Sequence, residues 1–235
     1  MRILGKPLLV TVMAGFMASI VCTGIYAQEY KFETGAAAGI SSYMGDVNRT
    51  NFIYHPGITT GLLFRYNINF HWALKSDILA GKVSGDTRHT DNIFPSGSQA
   101  TFRRTFAEAG TQAEFNFLPY SDKYRYMGTR SYTPYLFVGA GITYAAGEMD
   151  YIGPNMPFGV GFKFKLKNRL NVAIECSIRK LFGDNFDVTQ KTQSWSLDQP
   201  YGIGSSTFKN RDWYSITMLC LTWDFGLRED PCHGN

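Results

Sequence analysis

Phe158–Lys180 reads FGVGFKFKLKNRLNVAIECSIRK, a stretch that alternates twice. In its first arm Phe158, Val160, Phe162, Phe164 and Leu166 take turns with Gly159, Gly161, Lys163, Lys165 and Lys167. In its second arm Leu170, Val172, Ile174, Cys176 and Ile178 take turns with Asn171, Ala173, Glu175, Ser177 and Arg179. A period of two sends each set to its own face of a strand, and the intervening Lys167-Asn168-Arg169 makes the two arms a β-hairpin. One face is aliphatic and aromatic; the other is glycine and full charges. Each arm runs about ten residues, enough to cross a bilayer as a tilted strand and longer than the usual soluble strand of about five or six. The apolar face is therefore expected against lipid, with the charges inside a barrel.

The 235-residue chain is the size of one domain. Residues 1–27 read as a signal peptide, with Arg2 and Lys6 before an apolar core from Leu8 to Ile25 and a cleavage site at Ile25-Tyr26-Ala27. Cys22 does not make a lipoprotein, because Val21 precedes it where the lipid-attachment signal requires a small residue. The barrel is assigned to 28–226 and a periplasmic tail to 227–235. Loss of Arg2 and Lys6 lowers the formal charge from +4 to +2, no footprint for nucleic acid. No helix-length apolar run follows the signal, so a membrane form has to be a barrel.

The same alternation recurs along the chain. Strands are expected at Tyr30–Ser41, Ile58–Tyr66, Phe70–Ala80, Ala107–Phe117, from Pro134, in both arms of the hairpin, and at Asp212–Phe225. Loops are expected at Met44–Pro56, Gly81–Thr101, Gly147–Pro157 and Gly183–Asn210, with tight turns at Asn67–Asn69 and Lys167–Arg169 and a connection over Leu118–Thr133. The faces of the fifth strand are too uniformly apolar to assign. Eight strands with alternating short turns and long loops make an antiparallel meander of the outer-membrane type, its termini and short turns periplasmic. Tyr30, Phe32, Tyr66, Phe70, Trp72, Phe115, Phe117, Trp223 and Phe225 gather near strand ends, as an interfacial girdle would. A secreted β-sandwich, the rival architecture, would collect them in its core.

An eight-stranded barrel is just wide enough for side chains to fill it. The expected lumen set is Lys31, Glu33, Arg65, Lys75, Asp77, Glu108, Glu114, Lys163, Lys165, Glu175 and Arg179. Its mixed signs fit a plugged interior, since buried charges need partners, and argue against a porin.

No catalytic constellation emerges. His55, His71, His89 and His233 have no spacing that suits a Ser/His pair or a metal, and His71 at a strand start suits a girdle. Cys232-His233 lacks a second ligand cluster. Gly183-Asp184-Asn185 with Asp187 lacks the acidic spacing of a calcium loop. No enzyme activity, metal or cofactor is expected. Two features exceed what a plain barrel needs. Pro119–Tyr132, PYSDKYRYMGTRSY, is long for a short-turn end and carries Tyr120, Lys123, Tyr124, Arg125, Tyr126 and Arg130, residue types common at protein interfaces and also suited to lipid headgroups. The tail brings Cys232, the mature cysteine outside the strands. Cys176 and Cys220 fall on opposite faces of adjacent strands, so Cys232 is the candidate for an intermolecular disulfide, with a free tail thiol as the alternative.

TPYLFVGAG (133–141), PFGVGFK (157–163), RKLFGDNFD (179–187), DWYS (212–215) and a cysteine near the end followed by glycine resemble, in that order, the PorG family. These are outer-membrane barrels of the Bacteroidetes type IX (Por) secretion system. Where family members carry a Thr-Asp-Tyr-Leu-Asp-Asp-like string after the seventh strand, this chain reads LFGDNFDV. The resemblance implies a non-enzymatic part of the secretion and gliding machinery. Such a part associates with a periplasmic ring of the lipoprotein PorK and its partner PorN, and anchors it at the outer membrane. The alternative function is a surface adhesin or receptor acting through four long outer loops.

Overall fold

The computed structural model describes residues 30–44, 56–86, 101–121, 128–147, 150–167, 169–182 and 213–227. Eight strands follow one another: β1 Tyr30–Met44, β2 Gly57–Asn67, β3 Trp72–Asp86, β4 Thr101–Asn116, β5 Tyr132–Ala146, β6 Tyr151–Lys167, β7 Leu170–Leu181 and β8 Trp213–Leu227. Each pairs antiparallel with the next, and β8 closes on β1 from Tyr30↔Leu227 to Met44↔Trp213. Closure leaves no unpaired edge, the condition for crossing lipid with strands.

Polarity is inverted relative to a soluble protein. Ile58, Ile78 and Ile152 on the outside are 73%, 68% and 75% exposed, whereas Glu33, Lys75, Glu114, Glu175 and Arg179 inside are wholly buried. Exposing an aliphatic side chain of this size to water costs about 1.5–3 kcal/mol. A whole wall of them is stable only against hydrocarbon. The molecule is a transmembrane β-barrel of the outer-membrane type with a filled lumen.

Several boundaries differ from the sequence expectation. β3 runs on to Asp86 and β4 begins at Thr101, so both ends of the expected Gly81–Thr101 loop are strand. β1 likewise extends through Met44, and β8 through Leu227, one residue past the expected domain limit. β3 starts at Trp72, leaving Phe70 and His71 in the turn. The largest correction is at Gly147–Pro157. Gly153, Pro154 and Pro157 suggested a loop, yet β6 starts at Tyr151 and only 147–150 join it to β5. That end of the barrel thus carries three long connections (45–56, 87–100 and 182–212) and one short one, not four long ones. Pro157 is accommodated at a gap in the β5–β6 ladder, which pairs Val138 with Phe158 and resumes at Gly141 with Asn155.

The opposite end holds both tight turns. In the β2–β3 turn, Asn69 Oδ1 accepts from the backbone N–H groups of His71 (2.9 Å) and Trp72 (2.7 Å), a side chain substituting for a turn acceptor. The β6–β7 turn follows a register shift between Lys165 and Lys167. Outside, Phe32 meets Phe64, Tyr66 and Phe225 at 5.7, 5.5 and 5.4 Å, and Trp72 meets Phe115 at 5.0 Å, forming part of a girdle. Tyr30 and Phe70 are not in it. Both are buried, and cations of Lys165 and Arg169 lie 5.5 and 5.6 Å over the Tyr30 ring.

Candidate functional site: the filled lumen and its short-turn mouth

Ten of the eleven expected lumen charges are buried in the barrel; the exception is Lys31. Lys31 sits one residue into β1, past the layer of Glu33, and reaches solvent at the mouth. Arg104 and Asp224 join the buried set, giving six cations (Arg65, Lys75, Arg104, Lys163, Lys165, Arg179) and six carboxylates (Glu33, Asp77, Glu108, Glu114, Glu175, Asp224) among the described residues.

Arg65 is the hub of the middle layer. It donates to Glu33 and, from Nη2, to Glu114 Oε1 at 3.2 Å, with Glu175 Oε1 at 3.7 Å. Lys163 donates to the other side of Glu114, and Lys75 to Glu175 at 2.6 Å. Neutral donors complete the carboxylates: Tyr135 Oη to Glu175 at 2.6 Å, Gln112 Nε2 to Asp77 at 2.8 Å, and Asn67 Nδ2 and Thr222 Oγ1 to Glu33 at 3.0 and 3.1 Å. Fork-shaped Arg and flexible Lys divide the roles: the planar guanidinium of Arg65 offers several fixed donors to carboxylates on different strands, whereas the ammonium of Lys75 acts as a point charge, closest to Glu175 at 2.6 Å and within 3.6 and 4.0 Å of Asp77 and Glu114.

Glycines on the inward faces of β5 and β6 make room for these side chains. A Cβ on Gly161 would stand 2.4 Å from the Tyr135 ring, and one on Gly159 would stand 2.8 Å from Phe137. These residues resolve the fifth strand. Thr133, Tyr135, Phe137, Thr143 and Ala145 face in, while Leu136, Val138, Ile142 and Tyr144 face lipid. Period-two hydropathy missed this because inward aromatics look like lipid-facing ones.

Toward the long-connection end Arg179 Nε donates to both Glu108 oxygens at 2.9 Å, Tyr214 donates to the same carboxylate, and Asn155 Nδ2 donates to Thr143 at 2.6 Å. Above them the filling turns apolar: Tyr43, Leu79, Val83, Phe106, Leu181 and Ile216 form one buried cluster, with Phe106 packed 5.3 Å from Tyr214.

The short-turn mouth is closed by the β4–β5 connection. Tyr120, expected as an exposed docking residue, is fully buried instead. Its hydroxyl donates to Asn171 Oδ1 at 2.9 Å, Asn171 donates to Asp224 at 2.6 Å, and Lys165 donates to Asp224 at 2.7 Å. Lys165 also lies 5.8 Å over the Tyr120 ring. A bridge of Tyr120 with Arg130, with Ser121 N donating to Arg130 O (3.0 Å) and Arg130 N to Pro119 O (2.8 Å), clamps the two legs together. Tyr120 N donates to Phe70 O of the neighbouring turn at 3.4 Å. Arg130 itself is exposed. Lys123, Tyr124, Arg125, Tyr126 and Cys232 lie outside the described residues, as do His55, His89, His233 and Asp184–Asp187.

His71 is half-buried with Nδ1 2.8 Å from Asn116 O and its ring 6.0 Å from Phe115, a girdle position. Cys176 faces outward and Cys220 inward. Among the described residues no group of three or more His, Cys, Asp or Glu could hold a metal.

Among solved structures the chain is similar to Ail of Yersinia pestis in complex with the heparin analogue sucrose octasulfate, at 12% identity over 83% of this chain and 99% of that one, TM-score 0.44. Neisserial surface protein A is similar at 11% identity over 83% and 97%, TM-score 0.47. OprG of Pseudomonas aeruginosa is similar at 10% identity over 85% and 98%, TM-score 0.45. No curated protein matches the chain. The family described as Domain of unknown function (DUF6089) matches residues 11–235, so the chain belongs to that family.

Proposed function

We propose that this barrel is a non-enzymatic outer-membrane component of a type IX secretion and gliding machinery. In that reading it is a PorG-like protein that holds a PorK/PorN-like ring against the membrane from its periplasmic side. The short-turn end and both termini then face the periplasm, and the three long connections face outward. The observation that carries the reading is the clamped β4–β5 connection. It is longer than the β5–β6 connection at the other end, and Tyr120 ties it into the lumen network. A connection that served only to join two strands needs neither the length nor the anchor. The charge-filled lumen fits an anchoring role better than transport, and the order of PorG-like motifs supports this choice of machine.

The test replaces 122–127 by a Gly/Ser linker in the cell and follows ring proteins through outer-membrane fractionation. Loss of the ring from that fraction, with the barrel still inserted, is the expected result. Full ring retention would count against the reading. A non-reducing gel of wild type and Cys232→Ser resolves the tail separately: a higher-mass band present only in wild type identifies a covalent partner. If exchanging 87–100 and 182–212 for short turns abolishes surface binding while secretion continues, the adhesin alternative takes over.

A further inference from the structure

The lipid-facing wall is nearly free of charge. Among the described side chains on its outward rows the charged ones are Lys167 at the short-turn end of β6 and, near the long-connection end, Lys82 on β3, Arg103 on β4 and Lys180 on β7, all cations. Lys180 lies 5.1 Å over the Trp213 ring. Lys82 and Arg103 form a different arrangement. The register pairs Lys82 with Thr105 and Ser84 with Arg103, so the two cations are diagonal neighbours on one face. Diagonal positions of an antiparallel pair are roughly 7–8 Å apart, within reach of long side chains. Ser84 and Thr105 fill the other two corners of the square.

Its depth is fixed by what stands beside it. One row nearer the barrel centre are Ala80 and Ala107, and beyond them Ile78, 68% exposed. Tyr144, paired with Ala107, turns an aromatic ring outward at the same level. The square therefore begins where the apolar band ends. A guanidinium can grip two oxygens of one phosphate while an ammonium neutralises it as a point charge, and hydroxyls supply further donors. An anion reaching an outward-facing strand position at this depth arrives on a lipid.

We propose that Lys82, Ser84, Arg103 and Thr105 bind the phosphate of a membrane lipid in the leaflet at the long-connection end. The site is independent of the secretion reading. The test refolds the barrel in phosphatidylcholine nanodiscs carrying a trace of lipid A, either phosphorylated or dephosphorylated, and reads retained lipid by native mass spectrometry. Wild type should retain the phosphorylated form at least tenfold over the other. Lys82→Gln/Arg103→Gln should abolish that preference, each single change should weaken it, and millimolar inorganic phosphate should leave it intact. Equal retention of both lipids by wild type, or an unchanged preference in the double variant, would overturn the proposal. Displacement by inorganic phosphate would reassign the square to a free anion. Heat-modifiable gel migration monitors folding; should the double variant fail to insert, the single variants decide.

Discussion

Glu114 accepts from cations on two other strands, Arg65 of β2 and Lys163 of β6, and all three side chains are buried. Glu114→Gln would leave two buried cations facing one neutral amide. Removing one partner of a buried ion pair costs about 3–5 kcal/mol, because the survivor stays desolvated. The variant should lose that much unfolding free energy in urea titrations of the lipid-reconstituted barrel, read by heat-modifiable migration. Thr111→Ser, on the lipid face, should change it by only about 0.5 kcal/mol. A loss below about 1 kcal/mol for Glu114→Gln would mean the carboxylate is not shared as the geometry indicates. The inward face of Glu114 was legible in the sequence because charge alternated with alanine and phenylalanine. Its partners were not. Period two assigns a face but no height, and which residues meet across a lumen depends on how far each strand is staggered against the next. Asp224 lay on an inward row yet could not be joined to the network before that stagger was known.

Proline and glycine misled the reading of elements most where they serve the barrel. Gly153, Pro154 and Pro157 punctuate the first half of β6 as a loop would, and a soluble sheet would seldom place them there. The closed barrel tolerates Pro157 at a ladder gap and uses inward glycines as space for Tyr135 and Phe137. The β4–β5 connection misled in the other direction. Tyr120 belongs to a Tyr- and Arg-rich run that suggested an exposed interface, but only the fold reveals Asn171 and Lys165 waiting inside the mouth. Its ring and hydroxyl hold both legs of the connection against the lumen. Tyr120→Ala removes ring and hydroxyl together, so trypsin added at the short-turn side of reconstituted barrels should cut at Lys123 or Arg125 at least tenfold faster, with the strands still protected. Tyr120→Phe keeps the ring over Lys165 and loses one hydrogen bond, worth about 1 kcal/mol, and should fall between. Equal cleavage of wild type and Tyr120→Ala would show that the clamp rests on the Ser121–Arg130 backbone bonds alone.

Two unlike closures stand in series along the molecular axis. The lower is the charge network bonded from wall to wall around Arg65; the upper is the cluster of Tyr43, Leu79, Val83 and Phe106, with Arg104 buried at its level opposite Val83. An ion crossing the lumen would have to displace bonded carboxylates at one level and force apart a closely filled, largely apolar layer at the other, each barrier sufficient alone. Wild-type barrel in planar bilayers should therefore give no porin-like conductance. Leu79→Ala/Phe106→Ala thins only the upper closure, and Arg65→Ala/Glu114→Ala takes out opposite charges together at the lower one, leaving the net charge of the lumen unchanged. Each pair alone should stay closed. Combined, they should produce discrete opening steps, because only then does a polar path run from mouth to mouth. Opening by the Arg65/Glu114 pair alone would mean that the aromatic layer is wet and that a single closure seals the barrel. Steps in the wild-type recordings would take away the support that the filled lumen lends an anchoring role and return transport to consideration.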